Sequence, residues 1–349
     1  MAIRTTVIGS WWPYAEDEAD LARYHKGQLS AAEGEAVLKR AATRAIAEQR
    51  ALGLTEWTGG EYHTDNFIMH MYKSLSGMEV DKPQADDPFD YDDLAHARIT
   101  GKLDAPNGLG YAAAYRREKD LPGGVNKTAV VALYEVAVSA MDQLPAIQQQ
   151  HGNLTAIINR ELRALDSEGC PHVQLDAPFF GVLVNVGAMN AKQAAELIAP
   201  CFEGVKAKKS LHLCNGNLRG RPVSGVLRCA PWVEILQHLD GVVDIAAFEV
   251  KYYSQWNERE AFRQLPRSMS LAAGIVDEGS YYPEPVKKLR ERTQNGHASS
   301  VRSGFGSRLP AASAATPHAI FRCCGRKSRT WSKQQGRCEH RSRIAEGTP

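Results

Sequence analysis

Short apolar runs alternate with stretches of helical spacing along most of this chain, a rhythm that predicts strands separated by helices. Seven runs read as strands: Thr5 to Ile8, Leu54 to Trp57, Lys127 to Leu133, His172 to Asp176, Lys209 to Leu213, Val242 to Phe248 and Met269 to Val276. Between them, Gly34 to Leu52 places Val37, Leu38, Ala41, Ala45 and Leu52 on one helical side. Further helices are predicted through Met141, over Leu154 to Leu165, Ala191 to Phe202, Trp232 to Leu239, Glu258 to Leu265 and Pro283 to Arg292. Residues 76 to 124, rich in Asp, Pro and Gly, read as one long loop excursion. Strand and helix in strict alternation imply a parallel α/β architecture.

Polar residues that can do chemistry stand at the ends of these runs. The fifth run ends in His212-Leu213-Cys214. Side chains two apart on a strand share a face, so an imidazole nitrogen and a sulfur there can converge on one zinc ion, which a helix would not allow at this spacing. The competing reading is ordinary, since a buried Cys is more often a small hydrophobe than a ligand. Glu249 closes the sixth run and offers a carboxylate as a third ligand, Asp176 closes the fourth, and Gly9-Ser10 the first. Function gathered at the C-terminal ends of parallel strands is the habit of (β/α) barrels.

Taken in order, Ile8-Gly9-Ser10, Gly60-Glu61, Gln174-Leu175-Asp176-Ala177-Pro178, His212-x-Cys214, Phe248-Glu249 and Gly274-Ile275-Val276-Asp277 resemble the motifs of the cobalamin-independent methionine synthase family. The resemblance runs from residue 1 to about 294 and is nearest to that enzyme's C-terminal catalytic half and its single-barrel relatives, among them epoxyalkane:coenzyme M transferases. It implies a (β/α)8 TIM barrel holding zinc through His212, Cys214 and Glu249. It also implies that Ser10 and the Ile8 backbone hold the carboxylate of an amino-acid thiol, that Glu61 and Asp176 bind its ammonium group, and that Asp277 is catalytic. Each residue has a plainer reading as well: Ser10 as turn punctuation, Glu61 as a solvated loop acid, Asp176 as a turn cap. Trp11 and Trp12 either line a pocket or pack, and His63 and His70 carry no assignment.

The chemistry so implied is S-alkylation. Zinc converts a bound thiol to thiolate, which attacks the methyl of a methylated folate to turn homocysteine into methionine, or an epoxide carbon in the coenzyme M type. The partners expected are thus a small-molecule thiol and a methyl or alkyl donor. Two departures matter. Asp277-Glu278-Gly279 lacks the histidine that the family carries two residues after this Asp, and no Asp-Cys-Gly supplying a last thiolate ligand is legible, although Cys323, Cys324 and Cys338 lie near the C-terminus.

Composition bounds the rest. An apolar fraction of 43% supports a sizeable core, and one barrel of about 250 residues accounts for the body. No apolar stretch approaches the roughly 20 residues that span a bilayer, and Met1 to Thr5 does not open a signal peptide, so the expected location is cytoplasmic. Seven scattered cysteines do not form a disulfide framework. The net charge of +2 hides an asymmetry, because residues 295 to 349 hold ten Lys or Arg against two acids and lose the helical and strand periodicity. This tail reads as a nucleic-acid-binding extension, a disordered appendage, or the product of a shifted reading frame. The missing last strand and helix favour the third, the absence of any recognisable module argues against nucleic acid, and an inactive truncated barrel stands as the alternative to the enzyme.

Overall fold

The computed structural model describes residues 4–64, 69–80, 97–135, 140–215, 225–249, 258–276 and 284–301. Its centre is a parallel sheet of β3 (Thr128–Val131), β4 (His172–Asp176), β5 (Lys208–Leu213), β6 (Ile245–Glu249) and β7 (Ser270–Gly274), paired in sequence order. Two extended segments continue it on the β3 side. The Thr5 carbonyl accepts from the Thr55 and Glu56 amides at 3.0 Å, Ser10 and Gly60 form a parallel bridge, and the Asn126 amide reaches the Trp57 carbonyl at 3.4 Å. Seven strand positions therefore follow one another in the order read from the sequence. On its other side β7 pairs only with β6 among the described residues.

The register sorts the side chains. Along β4 every residue is buried, as expected of a parallel strand covered on both faces. Val173 and Leu175 join Leu211, Leu213, Ala246 and Phe248 in the apolar layer beneath the helices, where Phe248 packs between Trp232 and Phe262 at ring-centroid distances of 5.7 and 5.6 Å. The alternate residues, His172, Gln174 and Asp176 on β4 with Ser210 and His212 beside them on β5, turn to the opposite face. That face is polar, and it is the inside of the barrel.

Helices Ala31–Ala51, His151–Ser167, Ala191–Ile198 and Cys229–Gln237 cover the outer layer. Capping boxes at Ser30/Glu33 and Asn190/Gln193 start two of them, satisfying amides that a helix N-terminus leaves open. A buried Asp17 ties helix Ala15–His25 to Ala31–Ala51 by accepting from Arg40 and Arg44 at 2.7 and 2.9 Å. Among the described residues no helix is long and apolar enough to cross a membrane.

Several sequence expectations need correction. The excursion over residues 76 to 124 is no mere loop: β1 (Ser76–Val80) and β2 (Ala97–Asp104) pair antiparallel within it, and helix Tyr111–Glu118 follows. The side chains of Gln143 and Gln150 bond the β2 backbone at Ala97, Ile99, Gly101 and Leu103, support too distant in sequence for periodicity to show. After β3 the chain makes 3-10 turns at Leu133–Glu135 and Met141–Gln143 where a continuous helix is predicted. Helices Ala15–His25 and Pro178–Asn185 were not foreseen. The last helix, Val286–Val301, runs past the predicted end at Arg292 and into the segment assigned to the tail. Residues 302 to 349, with Cys323, Cys324 and Cys338, lie outside the described residues, as does Asp277.

Because Phe248 fills the layer between Trp232 and Phe262 at 1% exposure, Phe248→Ala should cost about 3–5 kcal/mol. Urea denaturation followed by circular dichroism checks this; a loss under about 1 kcal/mol would mean that the layer is not packed as described.

Candidate active site at the strand ends

The polar interior is built as a ladder. At its lower rung the Glu56 carboxylate accepts from Arg4 and from His172 Nδ1 at 3.1 Å, and the Ser210 hydroxyl donates to His172 Nε2 at 2.9 Å. Burial alone would raise Glu56, but His172, Arg4 and Lys127 outweigh it and hold the carboxyl below its usual range, while burial lowers His172. A charged carboxylate and a neutral imidazole satisfy both bonds.

The tip of the first segment is held from inside. Lys127 Nζ donates to the Val7 carbonyl at 2.6 Å, Gln174 Nε2 to the Ile8 carbonyl at 3.2 Å, and the Thr58 hydroxyl to the Gly9 carbonyl. Three successive carbonyls are thus fixed by side chains from three other strand positions, which places Ser10. Its hydroxyl donates to Glu61 Oε2 at 2.6 Å. Lys127 is buried and lowered to about 8 by desolvation, against the pull of Asp176, Glu56 and Glu61, so these carboxylates share one interior cation.

Glu61 is held under strain. It is the one non-glycine with positive φ among the described residues, at 62°, following Gly60 at 90°. That left-handed conformation costs an L-residue of order 1 kcal/mol or more and persists where the surroundings impose it. Its carboxylate lies so close to Gly9 that a Cβ there would sit 1.9 Å from Oε1. Desolvation, opposed by Ser10, raises the Glu61 carboxyl to about 7, with Asp176 adding to the rise.

At the ends of β4 and β5 the structure brings Asp176, His212 and Cys214 together. Asp176 Oδ1 accepts from Gln174 Nε2 at 2.6 Å and from His212 Nδ1 at 3.1 Å, and the His212 ring also bonds Cys214. Burial would lower His212, yet Cys214 and Asp176 outweigh it and raise the imidazole well above its ordinary value. Cys214 and His212 therefore share a face, as their spacing predicts. One step beyond the pair Leu213 and Phe248, Glu249 ends β6. Its Oε2 accepts from the Asn215 amide at 3.1 Å and from Asn215 Nδ2 at 3.2 Å, while Asn215 Oδ1 accepts from Leu227. Among the described residues no three His, Cys, Asp or Glu groups stand close enough to hold a metal ion.

Other members were not singled out from the sequence. Glu135, just past β3, accepts from the Phe179 amide at 2.8 Å and is raised to about 8 by burial, with Asp176 adding to the rise and His212 opposing it. Tyr111, buried at the start of its helix, is raised by desolvation and then by Glu61. Its ring meets those of His63 and His70 at centroid distances of 5.6 Å, which gives these histidines a packing role. Gln174 lies within the motif that ends at Asp176-Ala177-Pro178, and the two-residue strand period puts it on the same face as Asp176. Trp11 is buried in a cluster with Val37, Leu38 and Tyr62 and donates to Glu48, whereas Trp12 is exposed.

Residues 3–221 match the family described as cobalamin-independent synthase, catalytic domain. Among solved structures, a B12-independent methionine synthase from Shewanella sp. W3-18-1, in complex with selenomethionine, is 16% identical over 93% of this chain and 95% of that one, with a TM-score of 0.66. A putative vitamin-B12 independent methionine synthase from Listeria monocytogenes is 13% identical over 86% and 88%, with a TM-score of 0.59. At such identities the likeness establishes the barrel fold. No curated protein gives a significant match.

Replacing Glu61 by glycine should relieve its left-handed strain and leave the fold intact or up to about 1 kcal/mol more stable, while removing the carboxylate from the site. Chemical denaturation reads this directly. A destabilisation beyond about 1 kcal/mol would show that Glu61 serves the fold rather than the site.

Proposed function

Since the chain belongs to the cobalamin-independent synthase catalytic-domain family, we propose that it moves a methyl group from a methylated folate to the thiol of homocysteine, yielding methionine. The observation that carries this reading is the grouping of His212, Cys214 and Asp176 at the ends of adjacent strands, with Glu61 and Ser10 held beside the same interior. Imidazole, thiolate and carboxylate are donors suited to zinc, so His212 and Cys214 would hold the ion together with Glu249 from the neighbouring strand end, once its carboxylate turns from Asn215. Bound there, zinc would keep a substrate thiol in its thiolate form at neutral pH.

The protein's own residues bind and orient. Ser10 and the fixed backbone at Ile8 face the substrate carboxylate, and Glu61 with Asp176 face its ammonium group. A pair of carboxylates at one cation fixes its direction as well as adding attraction, and a held thiol needs less entropy to reach the methyl carbon. Asp277 keeps its assignment to the catalytic set from the Gly-x-x-Asp motif alone.

Two measurements check this reading. Purified protein incubated with homocysteine and a methylated folate should form methionine and carry about one zinc, most of which Cys214→Ser loses while Cys170→Ser and Cys229→Ser keep it. Unchanged zinc in Cys214→Ser would sink the metal assignment. Thioether formation from an epoxide and a thiol without methionine formation would favour the coenzyme M type of S-alkylation.

The second is a pH series. A carboxyl near 7 at Glu61 attracts an ammonium group only when ionised. Binding of homocysteine should therefore tighten as pH rises through about 7, whereas a thiol acid lacking the amine should show no such step. Equal pH dependence for both compounds would remove Glu61 from the ammonium site.

A further inference from the structure

One carboxylate in this site is asked to serve two neighbours, and the hydrogen bonds show how it does so. Asp176 is 2% exposed, and both hydrogen bonds that the described residues make to its carboxylate fall on Oδ1, from Gln174 Nε2 at 2.6 Å and His212 Nδ1 at 3.1 Å. Oδ2 takes no hydrogen bond from the described residues. Gln174, 1% exposed, has its own orientation fixed without ambiguity: the two partners of Nε2 are the Ile8 carbonyl and the Asp176 carboxylate, and a flipped amide would set oxygen against both. The Gln174 amide therefore connects the backbone of the first segment to the Asp176 side chain across the barrel.

We propose that Gln174 is a positioning residue that splits the Asp176 carboxylate between two tasks, Oδ1 orienting His212 and Oδ2 left for a substrate ammonium group. The inference rests on the proposed function only for the identity of the amine. Oδ1 with two donors is fully occupied and cannot swing toward a ligand without abandoning His212. A carboxylate that accepts from His212 Nδ1 fixes the ring so that Nε2 is the nitrogen that would meet a metal, the arrangement in which an outer carboxylate orients a metal-binding imidazole. The backbone of β4 is already held by β3 and β5, so the Gln174 side chain adds nothing to β4 itself and instead links the Ile8 backbone to the Asp176 carboxylate.

The test uses full-length protein loaded with zinc alone. Gln174→Met keeps the side-chain length but removes both N–H donors. Calorimetric binding of homocysteine should weaken about tenfold, the loss expected for a hydrogen bond to a charged group, while 4-mercaptobutanoate, the same thiol acid without the amine, should lose only the smaller share that passes through the Ile8 carbonyl. Equal losses for both thiols, or no loss for either, overturns the proposal.

Two Asp176 variants test the division of the carboxylate separately, and do so even if Gln174→Met fails to fold. Asp176→Asn retains an oxygen for Gln174 and His212 but puts an amide in place of Oδ2. It should keep its zinc through dialysis against a chelator and show a reduced preference for homocysteine over 4-mercaptobutanoate, Glu61 supplying what remains. Asp176→Ala should show the reduced preference and lose the zinc as well. Zinc lost equally from the two variants, or a preference undiminished in Asp176→Asn, refutes the split. Wild-type protein that binds both thiols alike would refute the proposed function instead, and zinc retention in the variants would still report whether Oδ1 serves His212.

Discussion

Everything in this site depends on the in-register parallel pairing of β4 with β5, which sets Gln174 beside Ser210 and Asp176 beside His212 on the inner face of the barrel. A polar side chain turned inward has lost water and must find a partner or carry the cost of desolvation. The structure answers with two connected networks. One runs from Arg4 through Glu56 and His172 to Ser210, the other from the Ile8 carbonyl through Gln174 and Asp176 to His212 and Cys214. Lys127 stands between them as their shared cation.

These networks couple distant parts of the chain in a way that a hydrophobic interior would not. The carbonyls of Val7, Ile8 and Gly9 are bonded by side chains from Lys127, Gln174 and Thr58, the Gln174 bond spanning 166 positions, so the placement of Ser10 is decided by residues far along the chain. Conformational strain and raised carboxyl pKa values gather at the same place: Glu61 in the left-handed region against Gly9, and Glu135 raised by burial, with Asp176 adding to the rise. Such features lower stability and raise the reactivity of a site toward cations, so they survive where binding depends on them.

The sequence by itself determined the order and most of the placement of the seven strand positions, because short runs bounded by turn residues alternate with longer stretches of helical spacing. It also set His212 and Cys214 on one face, since a period of two allows nothing else. The antiparallel pair at Ser76–Val80 and Ala97–Asp104 was not legible, because its backbone is completed by Gln143 and Gln150 from a later element. Nor were the partners of the strand-end residues. That Glu249 is held by Asn215, that Asp176 gives one oxygen to His212, and that Gln174 joins two strands across the interior were decided by tertiary structure alone. Local sequence fixes which face a side chain takes, but the pairing of strands distant in sequence determines what it meets there.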